Sequence, residues 1–173
     1  IGLCLVGSEM CIRDRCALGW ACWKTYLGRP ESDSTRHTAM QQVGNGLQSA
    51  GHYEEALSVK EAELSMELRL GKSFYNLLIV KGNLSNTYAR MGRLEEALQI
   101  DRDVYSGFLK IRGEEHRESL MAANNYITAL RDLQRFEEAK SLLLKTMPVS
   151  RRVLGENDGL TLRLRWIYGQ ALY

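Results

Sequence analysis

The chain has 173 residues, of which 45% are hydrophobic and 25% are charged, and its formal net charge is +2. This composition is typical of one globular domain or of a piece of a longer array, and so small a charge gives no support to binding of nucleic acid or an anionic membrane. Only Pro30 and Pro148 are prolines, which favours a helical chain because a proline inside a helix costs about 3 kcal/mol.

The first residues, IGLCLVGSEMCIRDR, share no pattern with the rest of the chain. No positive charge precedes their apolar stretch, as a secretory signal requires, and no apolar run approaches the roughly 20 residues of a membrane-spanning helix. Written back as codons, residues 5–15 resemble a sequencing adapter translated in frame. We therefore expect residues 1–15 to be a non-native leader, disordered or irregular, with a native leader as the alternative.

The cysteines and histidines of the chain do not form a recognisable ligand pattern. All four cysteines lie before residue 23 without a CxxC pair, and His37, His52 and His116 are far apart. We therefore expect no disulfide framework, no metal site and no cofactor. Reduced thiols are typical of a cytoplasmic protein, and this is the location we expect.

Three similar segments recur along the chain: GHYEEAL at 51–57, GRLEEAL at 92–98 and QRFEEAK at 134–140. Their central alanines are spaced by 41 and 42 residues. A second marker, the glycine at positions 28, 71, 113 and 155, recurs at nearly the same spacing. Two markers with one period predict a repeat array with a period of about 42 residues.

Each repeat carries two apolar stripes of helical spacing that flank a tight turn. In the middle repeat the stripes contain Leu78, Leu84 and Tyr88, then Ala97, Ile100, Val104 and Phe108. This pattern predicts an antiparallel helical hairpin. The expected fold is all-α, a right-handed superhelical array of such hairpins. The predicted segments are the end of a preceding repeat at 16–28, repeats at 33–70, 76–112 and 118–154, and the first helix of a fourth repeat at 160–173. We expect the chain to be a fragment that stops within this fourth repeat.

The period alone also fits HEAT and armadillo arrays, but the residues discriminate. The block G-x-[aromatic or Leu]-x-E-A, after a helix that carries Leu84 and Tyr88, resembles the tetratricopeptide repeat. The long period, the Asn124-Asn125 pair and the stretch RRVLGEND at 151–158 are similar to the kinesin light chain type of this repeat. The resemblance extends over roughly residues 20 to 173.

The chain departs from the family pattern at several positions. Gln134 stands where the turn glycine is usual, and Lys60 and Asp101 stand where the family usually has an apolar residue. Gly44 and Gly46 lie inside the first helix of the first repeat. Each of these glycines costs about 1 kcal/mol relative to alanine, so we expect the first repeat to be the least stable.

Glutamate pairs occur at 54–55, 95–96 and 137–138, and paired carboxylates can act as catalytic acids and bases. They lie in the first turn of each second helix, where negative charge interacts favourably with the helix dipole, and their recurrence favours this structural role. No nucleophile, phosphate-binding or metal-ligand motif is present. We therefore expect no catalytic residues and no enzymatic activity.

The resemblance implies a concave groove that is lined by the first helix of each repeat and binds an extended or partly helical peptide. Its groove positions fall on Gln41, Gln42, Asn45 and Gln48, on Asn83, Asn86 and Arg90, on Asn124, Asn125, Thr128 and Arg131, and on Arg163, Trp166 and Gln170. Amides both donate and accept, so they can bind a peptide backbone, and the arginines favour acidic residues. The alternative is a solvated polar face.

These observations predict a cytoplasmic scaffold for protein–protein interactions, which binds a peptide segment of a partner protein, with acidic residues as favoured contacts. We expect no nucleic acid, membrane, metal or cofactor among its partners. The alternative is a regulatory or sensor array of a larger signalling or nucleotide-switch protein, whose catalytic domain lies outside this fragment.

Overall fold

The computed structural model describes residues 17, 20, 21, 23–25 and 27–170, and every regular element among them is helical, which confirms the all-α prediction. The described residues between 17 and 25 are helical. Seven helices follow within residues 34–170: α1 (Ser34–Ser49), α2 (Tyr53–Arg69), α3 (Phe74–Arg90), α4 (Leu94–Arg112), α5 (Arg117–Asp132), α6 (Phe136–Leu154) and α7 (Gly159–Gln170). The expected leader, residues 1–15, lies outside the described residues, as do residues 171–173. No helix in the described part of the chain is long and apolar enough to cross a membrane.

The chain divides into two compact units between Met91 and Gly92. Unit 1 contains α1 to α3, where α2 packs against both α1 and α3. Unit 2 contains α4 to α7, where consecutive helices pack against each other and α5 also contacts α7. Each unit therefore has its own helix packing and is described by itself.

The helix ends follow local capping rules. The side chain of Asp33 precedes α1 and accepts hydrogen bonds from the backbone N–H groups of Thr35 and Arg36. Hydrogen bonds, above all from the Thr35 hydroxyl, lower the pKa of Asp33 to about 2. The glutamate pairs are exposed in the first turns of α2, α4 and α6, where they meet the positive end of the helix dipole.

The turns between the helices need a left-handed backbone at one residue. Gly51 and Gly92 have φ values of 84° and 76°, and Gln134 has a φ of 59° at the equivalent point of unit 2. Among the described residues, Gln134 is the only non-glycine with a positive φ. The missing turn glycine of the third repeat is therefore replaced by a strained residue and not by a different turn.

The two units have different interiors. In unit 2, α4 to α7 share an apolar cluster in which Ile127, Leu143 and Leu164 are fully buried around Ala139. In unit 1, Val43, Leu47 and Ala56 form a smaller apolar cluster, and α2 also buries Lys60 and two glutamates. Charged side chains inside a helix packing are uncommon, because burial of a charge is costly unless it is paired.

Candidate functional site

Four of the predicted groove residues lie on α1. Gln42 and Asn45 are exposed, whereas Gln41 and Gln48 are half-buried and hydrogen-bonded to residues of α2 and α3. The Nε2 of Gln41 donates to Oε1 of Glu63 over 2.9 Å. The predicted α1 residues are therefore of two kinds: two exposed amides, and two half-buried amides that are hydrogen-bonded to the neighbouring helices.

Lys60 of α2 forms hydrogen bonds to both α1 and α3. Its side chain is 2% exposed, and its ammonium group donates to Oε1 of Gln48, to the hydroxyl of Thr87 (2.9 Å) and to the backbone carbonyl of Asn83 (3.2 Å). The stem of Lys60 passes Gly44, where an added Cβ would lie 3.3 Å from the Lys60 Cγ. Gly44 thus gives Lys60 room to cross α1 and reach Gln48.

Two carboxylates of α2 continue this cluster. Glu63 and Glu67 are both 1% exposed, and Nε2 of His37 on α1 lies 3.2 Å from one and 3.0 Å from the other. Burial raises the pKa of Glu63, while the Gln41 hydrogen bond and the charges of His37 and Lys60 act in the opposite direction. Burial lowers the pKa of Lys60 to about 8. We call the buried residues Lys60, Glu63 and Glu67, together with the half-buried His37, the buried ion cluster.

The predicted residues of α3 present a mainly exposed set. Asn86 and Arg90 are exposed and Asn83 is half-buried. Between them Thr87, which is fully buried, donates its hydroxyl to Oε1 of Gln48 over 2.9 Å and so links α3 to α1. We call the seven predicted residues of this unit the unit 1 face: Gln41, Gln42, Asn45, Gln48, Asn83, Asn86 and Arg90.

On α5 of unit 2, the predicted residues differ in their availability. Asn125 is exposed, but Asn124 is only 3% exposed. The Nδ2 of Asn124 donates to Oδ1 of Asn125 over 3.4 Å, and the buried Oδ1 of Asn124 has no hydrogen bond within the described structure. The hydroxyl of Thr128 donates to the backbone carbonyl of Asn124 over 2.8 Å. Asn125 is therefore the freest amide on this helix.

An arginine and a tryptophan link α5 to α7. The guanidinium carbon of Arg131 lies 5.6 Å from the ring centroid of Trp166, which is a cation–π distance, and Trp166 is 58% exposed. Arg131 also pairs with Asp132 over 2.7 Å. Arg163 and Gln170 are exposed. We call the predicted residues of this unit the unit 2 face: Asn124, Asn125, Thr128, Arg131, Arg163, Trp166 and Gln170.

Unit 2 also contains a cavity of about 110 Å³ between α4, α5 and α6. Its lining includes Tyr105, Thr146 and the hydroxyl of Ser119, which is buried without a hydrogen bond in the described structure. Burial raises the pKa of Tyr105. The lining mixes polar and apolar side chains. No group of three or more His, Cys, Asp and Glu side chains among the described residues could hold a metal ion.

Sequence reasoning missed the buried ion cluster, although a signal for it was present. His37, Gln41, Gly44 and Gln48 follow the three- and four-residue steps of one helix face. Lys60 was visible in the sequence as a charge at an apolar position of the repeat. Polar and charged residues at the inward-facing positions of both α1 and α2 would have indicated a polar packing between these two helices.

Comparison with known proteins shows what part of the chain resembles in sequence and what it resembles in fold. Residues 78–118 and 121–158 match the family model of the tetratricopeptide repeat. No curated protein sequence matches the chain significantly. Among solved structures, BtubC (BKLC) from P. vanneervenii is 18% identical, with a TM-score of 0.77 over 94% of this chain. A kinesin light chain-like protein from Podosopora anserina, with nearly identical TPR-like repeats, is 17% identical, with a TM-score of 0.78 over 92% of this chain and 77% of its own.

The structure of PlcR from Bacillus thuringiensis, in complex with the peptide PapR7 and DNA, is 18% identical and has a TM-score of 0.71 over 95% of this chain. The chain spans 66% of the BtubC chain and 58% of the PlcR chain. At these identities the similarity concerns the fold, while the family match concerns the sequence of α3 to α6 and the turn after it. Residues 78–118 and 121–158 are therefore similar to tetratricopeptide repeats, and the described residues have the all-helical fold of kinesin light chain-like repeat proteins.

Proposed function

We propose that the chain is a protein-interaction scaffold that binds peptide segments of a partner protein on the unit 1 face and on the unit 2 face. The observation that carries this proposal is the distribution of Asn and Gln among the helices. The first helices contain four in α1, three in α3, two in α5 and one in α7, whereas the second helices α2, α4 and α6 contain only Gln99. If these amides served only to keep the surface hydrated, they would not need to be concentrated on the first helices.

Amides suit the backbone of a bound peptide, because each amide offers a donor and an acceptor and a peptide bond needs both. Gln42, Asn45, Asn86 and Asn125 are exposed, so they are available without rearrangement of the helices. The fold is compatible with this use, since PlcR, which shares it, was solved in complex with a peptide.

Charged and aromatic groups add selectivity to the amides. Arg90 and Arg163 are exposed, and an exposed guanidinium can form a paired hydrogen bond with a carboxylate. On the unit 2 face, Trp166 offers an exposed ring beside Arg131. A peptide with acidic side chains next to its bound backbone is therefore the partner that these residues favour.

Selection from a library of short displayed peptides tests the proposal. Labelled peptides that the chain captures are then titrated by fluorescence anisotropy against the double variant Asn83→Ala with Asn125→Ala. A peptide on either face contacts one of the two substituted amides, and each lost hydrogen bond contributes about 0.5–1.5 kcal/mol, so we expect the affinity to fall about 2- to 13-fold. The matched control is Gln99→Ala, which removes an exposed amide of a second helix.

The outcome against the proposal is unchanged affinity of the double variant, with the same helical circular dichroism as the wild-type chain. A library that yields no captured peptide at all also counts against it. Equal losses in the double variant and in Gln99→Ala would show that the amides of the first helices have no special role.

The alternative is that the chain is the sensor array of a larger signalling protein. The similarity to PlcR, of which the chain spans 58%, is the observation in its favour. Sequencing of the source transcript beyond both ends of the chain tests this alternative. A catalytic or DNA-binding domain in the same reading frame supports it, and further repeats alone contradict it.

A further inference from the structure

We propose that Lys60 and Glu63 are positioning residues that orient the side-chain amides of Gln48 and Gln41 in opposite senses, so that α1 offers a peptide backbone one donor and one acceptor of fixed polarity. This inference rests on the proposed peptide-binding function and says how the unit 1 face would recognise its ligand. It assigns a role to two ions that are buried beneath that face.

The orientation of Gln48 follows from the chemistry of its partners. An ammonium group only donates hydrogen bonds, so Gln48 must direct its Oε1 to Lys60, as the structure shows. The hydroxyl of Thr87 lies 2.9 Å from the same oxygen and 3.2 Å from the backbone carbonyl of Asn83, so it can donate to either. The carbonyl oxygen of Gln48 is therefore held by Lys60, and its NH₂ group remains as a donor.

The orientation of Gln41 is the reverse. An ionised carboxylate only accepts hydrogen bonds, so Gln41 must direct its Nε2 to Glu63, where the distance between nitrogen and oxygen is 2.9 Å. Its Oε1 is left as an acceptor. Gln41 and Gln48 are seven residues apart and both half-buried, so they lie on one face of α1, about 10 Å apart along the helix axis.

Burial makes this arrangement selective. Lys60 and Glu63 are 2% and 1% exposed, so water cannot replace either amide contact. A reversed Gln48 would place its NH₂ group against the ammonium, and a reversed Gln41 would place its carbonyl against the carboxylate. Each reversal would remove one hydrogen bond from a buried charge, although Lys60 would keep Thr87 and Asn83 and Glu63 would keep His37. The loss of a hydrogen bond to a buried charge costs more than the same change at the surface.

The charge of Glu63 controls the amide of Gln41. The charged and titratable groups that act on Glu63 are His37 from α1 and Lys60 and Glu67 from α2. When acid protonates Glu63, its new O–H group can donate to the Oε1 of Gln41, and the amide can then reverse. Acidification should therefore change the amide of Gln41 while that of Gln48, which faces Lys60, stays as it is.

Nuclear magnetic resonance of the side-chain NH₂ groups tests the orientation in the free full chain, without any ligand. In the wild-type chain we expect one NH₂ hydrogen of Gln41 to be protected from exchange and those of Gln48 to exchange freely. In Glu63→Gln the protection at Gln41 should weaken, because a neutral amide at position 63 can present either its carbonyl or its NH₂ group to Gln41. In Lys60→Met the Gln48 signals should shift most, because Lys60 donates to Gln48 and acts on Glu63 only through its charge. The matched control Glu54→Gln, an exposed residue of α2, should change neither.

A pH titration of the wild-type chain keeps the inference testable if a variant does not fold. The Gln41 NH₂ signals should move with the ¹³C carboxyl signal of Glu63, while the Gln48 signals should not. Signals of Gln41 that ignore both Glu63→Gln and the titration of Glu63 would overturn the inference, as would a protected NH₂ group on Gln48.

Binding is tested with a peptide captured in the library selection and with its versions that carry one backbone ester. An ester removes one peptide N–H, so the donor to Oε1 of Gln41 can be located. At one position the ester should weaken binding to the wild-type chain about tenfold, with no further loss in Gln41→Ala and a smaller loss in Glu63→Gln. Equal ester penalties in all three proteins would overturn the inference, whereas failure to capture any peptide would contradict the proposed function and leave the spectra to decide the amide polarity.

Discussion

Replacement of Gln134 by glycine should stabilise unit 2. Gln134 has a φ of 59° in the turn between α5 and α6, where Gly51 and Gly92 occupy the equivalent turns. Its side chain is exposed, and its contribution to the turn is made by the backbone. Its N–H donates to the carbonyl of Arg131 over 2.8 Å, and glycine keeps this bond.

The magnitude follows from two opposing terms. The left-handed conformation costs a residue with a Cβ about 1–2 kcal/mol, and glycine removes this cost. Glycine also gives the unfolded chain more freedom, which costs about 0.5–1 kcal/mol. The net stabilisation in Gln134→Gly should be about 0.5–1 kcal/mol, and the midpoint of thermal unfolding should rise by about 1–4 °C.

Urea and thermal unfolding, followed by far-ultraviolet circular dichroism, measure this change. Gln134→Ala is the control, since alanine keeps the Cβ and should give no comparable gain. The reverse change, Gly92→Ala, should lower stability by about 1 kcal/mol or more. An equal gain in Gln134→Gly and Gln134→Ala would refute the reasoning, because the effect would then come from loss of the long side chain.

Three further predictions concern single residues of the two units. Ala139→Leu should destabilise unit 2 by about 1–3 kcal/mol in urea unfolding, since Ala139 is fully buried where α6 crosses α5, and an unchanged midpoint would contradict a close crossing there. Because burial lowers the pKa of Lys60 from 10.5 to about 8, the unfolded chain binds more protons between these values, so stability should rise from pH 8 to pH 10.5; Lys60→Met should lack this rise, and the same rise in that variant would assign it to another group. Pro148→Ala should stabilise α6 by about 1–2 kcal/mol in thermal unfolding, since Pro148 lies inside that helix and is exposed, whereas a loss of stability would show that the proline is preferred there.

The helices were predictable because their signal is local. The three- and four-residue spacing of apolar side chains and the recurring alanine need only neighbouring residues to be recognised. The all-α fold and the tetratricopeptide resemblance that this pattern indicated are confirmed by the helices and by the family match. The sequence also showed Gln134 at the position where the repeat usually has its turn glycine, and this is the residue with the positive φ.

The fine structure of the candidate faces was not predictable. Alignment placed Gln41 and Gln48 among groove residues, but their inward hydrogen bonds depend on charges 12 and 22 residues away on α2. Charged residues are usually expected at the surface. Lys60 was recognisable as a charge at an apolar position of the repeat, but the sequence did not show which side chains of α1 it contacts.

The sequence also predicted the same role for Asn124 and Asn125, although Asn124 is buried and Asn125 is exposed. Neighbouring residues on a helix differ by about 100° in direction, so a small rotation of α5 decides which amide faces outward. The contact between Arg131 and Trp166 joins two helices, and the packing of α7 against α5 determines it.

The most direct test of the central claim is to map where a captured peptide binds. Titration of the ¹⁵N-labelled chain with this peptide, followed by amide resonances, reports each helix separately. The account predicts that the shifts concentrate on α1 and α3 or on α5 and α7, including the side-chain NH₂ groups of Gln42, Asn45, Asn86 and Asn125. Shifts concentrated on α2, α4 or α6, with these four amides unaffected, would contradict it.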